Sequence, residues 1–524
     1  MASAKKRAKS RQAALEPATL AKFLEQATQL HGEGRFDEAA RLYLHVEKCN
    51  PEALAASYFL ALIDIETGWL DRALERLRLV TRQDPSSFDA VFALGHTFGE
   101  LGQWPQAVNA YQRARTIKPQ STTARFALAR ALEVVGQLDD AIALFRDLAN
   151  FAPVRLNALM SAAQLKPSEI TSAESEEMAA VARDTSTPVA GRIGLLFALA
   201  GVLETSSRYE GAFATYLEAN RLRRERLIED AGHPPELVIA SPGSRPKFNT
   251  PQQAAAQHAQ MIARAKQIFT PDLIARYSGK GHDSPAPIFI LGMPRSGSTL
   301  LEQILSSHGK VEGLGEGVAL WRTISGRFPL VAEAGAEDDP EFFRKLAEDY
   351  LARQRAFGWR KAPFVVDKML GNYMSIGMIH LMFPKATILH SVRDPVDTCL
   401  ACFRQLFRTG NETTYDLSDI GEHYVRYREM MAHWETVLPG RFVNVVHEQL
   451  ITDPDSKIRW LVEDACKLKW DENCIRFHQT KRAVRTASIA QVRQPIFNTS
   501  LQRWRKYASH LGPLMEALGP YAPR

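Results

Sequence analysis

The 524-residue chain contains no run of 18 consecutive apolar residues, so no segment reads as a transmembrane helix. Its basic start, Met1 to Arg11, is not followed by the apolar stretch of a secretory signal peptide. Together these absences predict a soluble, cytoplasmic protein. Cysteine is scarce: Cys49, Cys399, Cys402, Cys466 and Cys474 are an odd number scattered over a long chain, which argues against a disulfide framework. Cys399 and Cys402 form a C-x2-C pair without a second ligand pair, so no metal centre is expected. A strong excess of one charge is also missing. The 65 Lys and Arg against 59 Asp and Glu leave a formal charge of +6, which suits anionic ligands without implying nucleic-acid binding. At roughly 150 residues per domain, the length suggests about three units.

One further absence is local. The stretch Pro287 to His308 starts with a short apolar run, Ile288 to Leu291, suited to a strand buried on both faces. After a Gly-rich turn, Leu300, Leu301, Ile304 and Leu305 fall on one face at helical spacing. Strand, tight loop and helix together surround the loop with backbone N–H groups and the positive end of a helix, an arrangement that binds anions. The spacing Gly292-x4-Gly297-Ser298-Thr299 approaches that of a nucleotide triphosphatase, but Ser298 stands where such a loop needs lysine. The cation lies upstream, at Arg295. The segment predicts a phosphate loop not built for ATP hydrolysis; taken alone, it could also be a Gly-Ser turn between two packed elements.

The N-terminal third repeats. Pro51, Pro85, Pro119 and Pro153 are each 34 residues apart, as are Gly34, Gly68, Gly102 and Gly136, and Ala39, Ala73, Ala107 and Ala141. An aromatic or apolar column, Tyr43, Leu77, Tyr111 and Phe145, keeps the same register. In a helix-turn-helix unit the Gly serves the turn, the Ala lies where two helices touch and the Pro ends the second helix. These columns resemble tetratricopeptide repeats, clear over residues 18–153 and degenerate at about 187–225, where Ser207 replaces the turn glycine. A repeat domain over 18–230 follows a basic tail at 1–17. Such superhelices bind peptides or partner proteins, or serve as a scaffold for the next domain. Residues 231–282 read as a Pro-, Ser- and Gly-rich linker with a connecting helix within Gln252 to Tyr277.

From residue 283 to 524 short apolar runs alternate with helical ones. Phe364 to Val366, Thr387 to Val392 and Phe442 to Val446 are strand candidates; Tyr373 to Phe383, Val396 to Phe407, Gly421 to Val437 and Pro454 to Leu468 are helix candidates. The alternation predicts a parallel α/β sheet with ligand-binding residues at the carboxyl ends of its strands. Asp367 and Lys368 follow one run, and Arg393, Asp394 and Pro395 another. A polar stretch, Thr486 to Tyr507, ends in a basic-aromatic cluster able to take a base and a phosphate.

The ordered segments Gly-Met-Pro-Arg-Ser-Gly-Ser-Thr-Leu (292–300), Leu-Gly-Glu (314–316), Asp-Lys-Met (367–369), Phe-Pro-Lys-Ala (383–386), Val-Arg-Asp-Pro (392–395) and His-Glu-Gln-Leu (447–450) precede a block from Ser488 to Tyr507. They resemble the landmarks of sulfotransferases that use 3′-phosphoadenosine 5′-phosphosulfate (PAPS) as donor. The resemblance is greatest to tyrosylprotein sulfotransferases and to proteins joining tetratricopeptide repeats to such a domain. It implies a P-loop-like α/β fold, PAPS as donor and PAP as product, with no metal. It also implies that Arg295, Ser296, Gly297, Ser298 and Thr299 hold the 5′-phosphosulfate, that Lys368 and Ser488 stabilise the leaving phosphate, and that Glu316 is the general base. Glu312 is a nearby competitor for that role. Arg393 would take the 3′-phosphate, with Arg503 as a second cation; His447, Arg493 and Phe497 complete the cofactor set. Two positions depart from the family pattern. Ala401 stands where a serine often contacts the 3′-phosphate, leaving Thr398, Arg404 or Gln405 to supply that contact, and His447 replaces a frequent tyrosine. The resemblance points to a peptide or protein tyrosine as acceptor, with the repeats recruiting it. A carbohydrate, lipid or small-metabolite acceptor, and an inactive PAP-binding scaffold, are the alternatives; a nucleotide kinase is disfavoured by Ser298.

Overall fold

The structure, a computed structural model, describes residues 17–50, 53–232, 249–325, 339, 341–407, 410–480, 492–493, 496 and 501–523. The chain forms two compact units, the first reaching Val135 and the second beginning at Gly136. The first consists of helices α1 (Pro17–Gly32), α2 (Phe36–Cys49), α3 (Leu54–Glu66), α4 (Leu70–Gln83), α5 (Phe88–Glu100), α6 (Trp104–Ile117) and α7 (Thr122–Val135). The repeat columns do what their chemistry suggests. Gly34, Gly68 and Gly102 take left-handed φ values of 75°, 82° and 73°, which a side chain disfavours. Ala39, Ala73 and Ala107 are fully buried. Pro85 and Pro119 follow the ends of α4 and α6 by two residues; Pro51 lies outside the described residues.

The second unit continues with α8 (Leu138–Leu148), α9 (Arg155–Leu165), α10 (Ser172–Arg183), α11 (Val189–Thr205) and α12 (Tyr209–Gly232). Helix α10 starts at reciprocal hydrogen bonds between Thr171 and Glu174. The degenerate repeat is the pair α11 and α12. Its turn closes as the others do, with Ser207 N–H donating to Glu204 O (3.0 Å) and Arg208 N–H to Leu203 O (2.9 Å). The same pattern links Gly68 to Ile65 and Trp69 to Asp64. Ser207 therefore adopts a left-handed φ of 57° without being glycine.

Next come α13 (Pro251–Ile268) and α14 (Pro271–Tyr277), divided where Thr270 caps the second helix. The sheet is parallel throughout, in the order β2-β3-β1-β4-β5, from β1 (Pro287–Gly292), β2 (Val311–Gly313), β3 (Phe364–Asp367), β4 (Thr387–Val392) and β5 (Val443–Val446). Its helices are α15 (Ser298–Ser306), α16 (Ala319–Ile324), α17 (Phe342–Phe357), α18 (Ile376–Met382), α19 (Pro395–Phe403), α20 (Leu417–Val437), α21 (His447–Thr452), α22 (Pro454–Trp460) and α23 (Gly512–Leu518). All six β1 residues are buried, and Leu301, Ile304 and Leu305 of α15 pack with Val366, Leu389 and Val445 in one core. Burying each such side chain contributes about 1.5–3 kcal/mol, enough to seat the loop between β1 and α15 firmly.

Three expected elements differ. The helix expected to reach Phe407 stops at Phe403, the one expected from Tyr373 begins as a 3-10 turn over Leu370–Ser375, and the one expected to reach Leu468 widens into a π turn over Leu461–Ala465. The β2 edge strand was not anticipated, because Val-Glu-Gly offers a single apolar residue.

Candidate active site

Three successive carbonyls of the β1–α15 loop are tied down from one side. Cys402 Sγ donates to Pro294 O (3.3 Å), Arg393 Nη1 to Arg295 O (3.3 Å) and Ser391 Oγ to Ser296 O (3.0 Å). Arg295 sits at a left-handed φ of 66°, a strained state that this anchoring sustains. No side chain caps the start of α15, so the positive end of the helix faces the loop, an arrangement that suits an anion. Two glycines hold the loop tight. A Cβ on Gly292 would lie 2.7 Å from Ser391 O, and one on Gly297, at φ 98°, would lie 2.4 Å from His447 Nδ1. Ser296 Oγ and His447 Nδ1 are buried without a hydrogen-bond partner among the described residues. Such polar atoms at an uncapped helix start fit a ligand rich in acceptors.

Each strand is followed within three residues by a residue of the expected site. Arg295 follows β1, Glu316 β2, Lys368 β3, Arg393 β4 and His447 β5. Lys368 has no exposed surface; its Nζ lies 2.6 Å from Glu316 Oε1 and 3.8 Å from Glu302 Oε2. Glu302, on α15, is buried and also accepts from Gly315 N–H (2.8 Å), so it holds both Lys368 and the β2 turn. The sequence reading missed it; a charged residue inside the run Leu300 to Leu305 was its only signal. Glu316 has half of its side chain exposed. Glu312 is occupied structurally: it accepts from the N–H groups of Arg360 (2.7 Å), Lys361 (3.1 Å) and Ala362 (3.4 Å). Asp367, beneath Lys368, receives Tyr350 Oη and Gln354 Nε2 at 2.9 Å, and burial pushes its carboxyl up to about 7.

The arginines gather beyond the loop. Burial lowers Arg295 to about 10; Cys402 opposes this, and the charges of Arg393, Arg404 and Arg503 add to it. Arg393 Nη2 lies 3.5 Å from Asp397, which also accepts from Trp504 N–H (3.0 Å). Burial, with a lesser push from Arg393, takes His447 down to about 3, so its ring is neutral at physiological pH. Of the candidates to replace the serine at Ala401, Gln405 turns to Leu406 O (3.2 Å), Thr398 Oγ1 is buried without a partner among the described residues, and Arg404 bonds Glu204. Glu204, from α11, also receives Arg503 Nη2 (3.0 Å) and Tyr507 Oη (2.8 Å). It too was missed, although it is the acidic residue that closes an apolar helix. Arg493 stands apart from this group: its guanidinium packs over Gly136 and bonds Thr480 O, and Thr480 meets Ser307 at the far end of α15. Ser488 and Phe497 lie outside the described residues.

Comparison with known proteins finds matches to both parts of the chain. Residues 287–472 fit the sulfotransferase family, and residues 24–88 and 92–154 fit tetratricopeptide repeats. The chain carries a sulfotransferase-family domain. An uncharacterized protein of Aquifex aeolicus (strain VF5) is 31% identical over 375 residues, 69% of this chain and 46% of that protein. Protein-tyrosine sulfotransferase A of Caenorhabditis elegans is 24% identical over 217 residues, 38% of this chain and 55% of that protein. The chain thus spans about half the length of these two relatives. Among solved structures, the sulfotransferase domain from the Synechococcus PCC 7002 olefin synthase is similar at 23% identity, covering 43% of this chain and 89% of that one with a TM-score of 0.31. The sulfotransferase domain and the repeats that precede it account for the alternation of strands and helices and for the 34-residue period. No helix among the described residues is long and apolar enough to cross a membrane.

Proposed function

We propose that the protein transfers a sulfuryl group from PAPS to an acceptor hydroxyl, that of a peptide or protein tyrosine, and releases PAP. The observation that carries this reading is that Arg295, Glu316, Lys368, Arg393 and His447 each come within three residues after the end of one of five parallel strands, around an uncapped helix start. In this reading the loop from Arg295 to Thr299 holds the 5′-phosphosulfate, while Arg393 and Arg503 face the 3′-phosphate. PAPS supplies an activated sulfuryl group. As the acceptor O–S bond forms, the S–O bond to the 5′-phosphate breaks, the acceptor proton passes to Glu316, and Lys368 and Arg295 neutralise the charge left on the phosphate. Glu316 and Lys368 are already 2.6 Å apart, so base and cation can serve one transferring group.

The tyrosine acceptor is supported by the activity named for the nematode relative. It also fits the surroundings of Glu316: Val318 and Trp321 are exposed, and Phe357 lies against Gly317. An aromatic acceptor gains from such apolar neighbours. The repeats would recruit the protein that carries it.

Transfer of labelled sulfate from PAPS to tyrosine peptides tests the assignment. Glu316→Gln is expected to lower kcat by about 10²-fold or more, as loss of a general base does, while PAP still stabilises the variant. At 100 times its dissociation constant PAP should stabilise the wild type by about 2.7 kcal/mol. Stabilisation by Mg-ATP and not by PAP would overturn the donor, and sulfation of glycans or small phenols but of no peptide would overturn the acceptor.

A further inference from the structure

The arginine cluster is held from an unexpected direction. Arg404 follows α19 and Arg503 belongs to the C-terminal segment, yet both are fixed by one carboxylate on α11. Glu204 is 5% exposed. Its Oε1 accepts from Arg503 Nε (3.1 Å) and Nη2 (3.0 Å) and from Tyr507 Oη (2.8 Å), and its Oε2 accepts from Arg404 Nη2. The partner helix α12 reinforces the seat: Asn220 Nδ2 donates to Phe403 O (2.9 Å), and the Phe213 ring stacks on that of His510 at 4.6 Å. The last helix pair of the repeat type is therefore locked to the two segments that carry Arg404 and Arg503.

Charge gives this contact a purpose. Arg295 interacts electrostatically with Arg393, Arg404 and Arg503, while Asp397 pairs with Arg393 and Glu204 with both Arg404 and Arg503. Buried like charges repel unless an anion joins them, and a long guanidinium side chain must be ordered before it can give a phosphate directed hydrogen bonds. At Ala401, where a hydroxyl would otherwise be available, the chain offers only a methyl group.

We propose that Glu204 is a positioning residue for the donor's 3′-phosphate: it orders Arg404 and Arg503 so that their free edges take the phosphate that Ala401 cannot bond. This rests on the PAPS reading above, and makes α11 and α12 part of the donor site. The readout is 3′-phosphate selectivity, the ratio of the dissociation constants for AMP and PAP, measured by calorimetry on the full chain. Glu204→Gln is expected to weaken PAP at least tenfold while AMP changes less than twofold, so that the ratio collapses. Glu204→Asp, which keeps the charge but withdraws it by one methylene, is expected to weaken PAP at least threefold with AMP again unchanged, and it decides the matter if the glutamine variant does not fold. Equal weakening of both ligands, unchanged PAP binding, or tighter PAP binding would overturn the proposal. Failure of the wild type to bind PAP would instead overturn the donor assignment on which it rests.

Discussion

Lys368 lies between two carboxylates in unequal surroundings. Glu316 can return to water, but Glu302 is buried and cannot be rehydrated if its cation is removed. Lys368→Met should therefore cost the sheet-containing unit about 3–5 kcal/mol, the usual penalty for stranding a buried charge. The Lys368→Met/Glu302→Gln double variant should recover most of that loss in urea unfolding. Simple additivity of the two single losses would show that the pair is not coupled. At this scale the sequence exposed the cations more clearly than their partners. Arg295 and Lys368 follow apolar runs and stand out, whereas Glu302 and Glu204 sit in helices, where a lone acidic residue ordinarily reads as a solvated face. Only the fold shows that both of those faces are closed.

Among the elements, the repeat turns allow a direct comparison. Gly34, Gly68, Gly102 and Ser207 occupy equivalent left-handed positions, but only the serine carries a Cβ there. Ser207→Gly should stabilise the second unit by about 1 kcal/mol, the order of the strain that a side chain incurs in this conformation. Thermal melting of the variant checks this, and an unchanged or lower midpoint would mean that the Ser207 side chain offsets its own strain. The period of 34 made most of these helices legible, because four columns constrain every turn. The short β2 strand was illegible for the opposite reason: its pairing with β3 is set by tertiary packing and leaves almost no pattern in three residues. Helix ends such as Phe403 were blurred because apolar spacing runs on into the loop beyond them.

For the second unit as a whole, proton linkage sets an acid limit. Burial lowers His258, His380 and His390 to about 4 and His423 and His447 to about 3, so the fold keeps five rings neutral that the unfolded chain protonates near 6.5. Their contribution is complete above about pH 6.5 and is lost as pH falls towards 4 and then 3, each proton adding a slope of up to about 1.4 kcal/mol per pH unit. Asp367 acts in the opposite sense. Raised to about 7, it favours the fold below the ordinary carboxylate range and loses that advantage as pH rises to 7. Burial also raises Asp394 and Asp419 in the sense of Asp367, but the five rings outnumber these three carboxyls and decide the sign: melting of this unit should fall from pH 7 to pH 5, and a flat profile would contradict the burial of these rings. Composition showed the fourteen histidines but not which of them are enclosed, since enclosure depends on contacts such as the stacking of His258 on His423.

The parallel sheet has one further consequence, for synthesis. Because each strand supplies one residue to the same edge, the set stays incomplete until the ribosome has passed His447, and Arg503 comes later still. A chain interrupted before that point holds the phosphate loop with Glu316, Lys368 and Arg393 but lacks His447 and Arg503, so the strand-end set never closes.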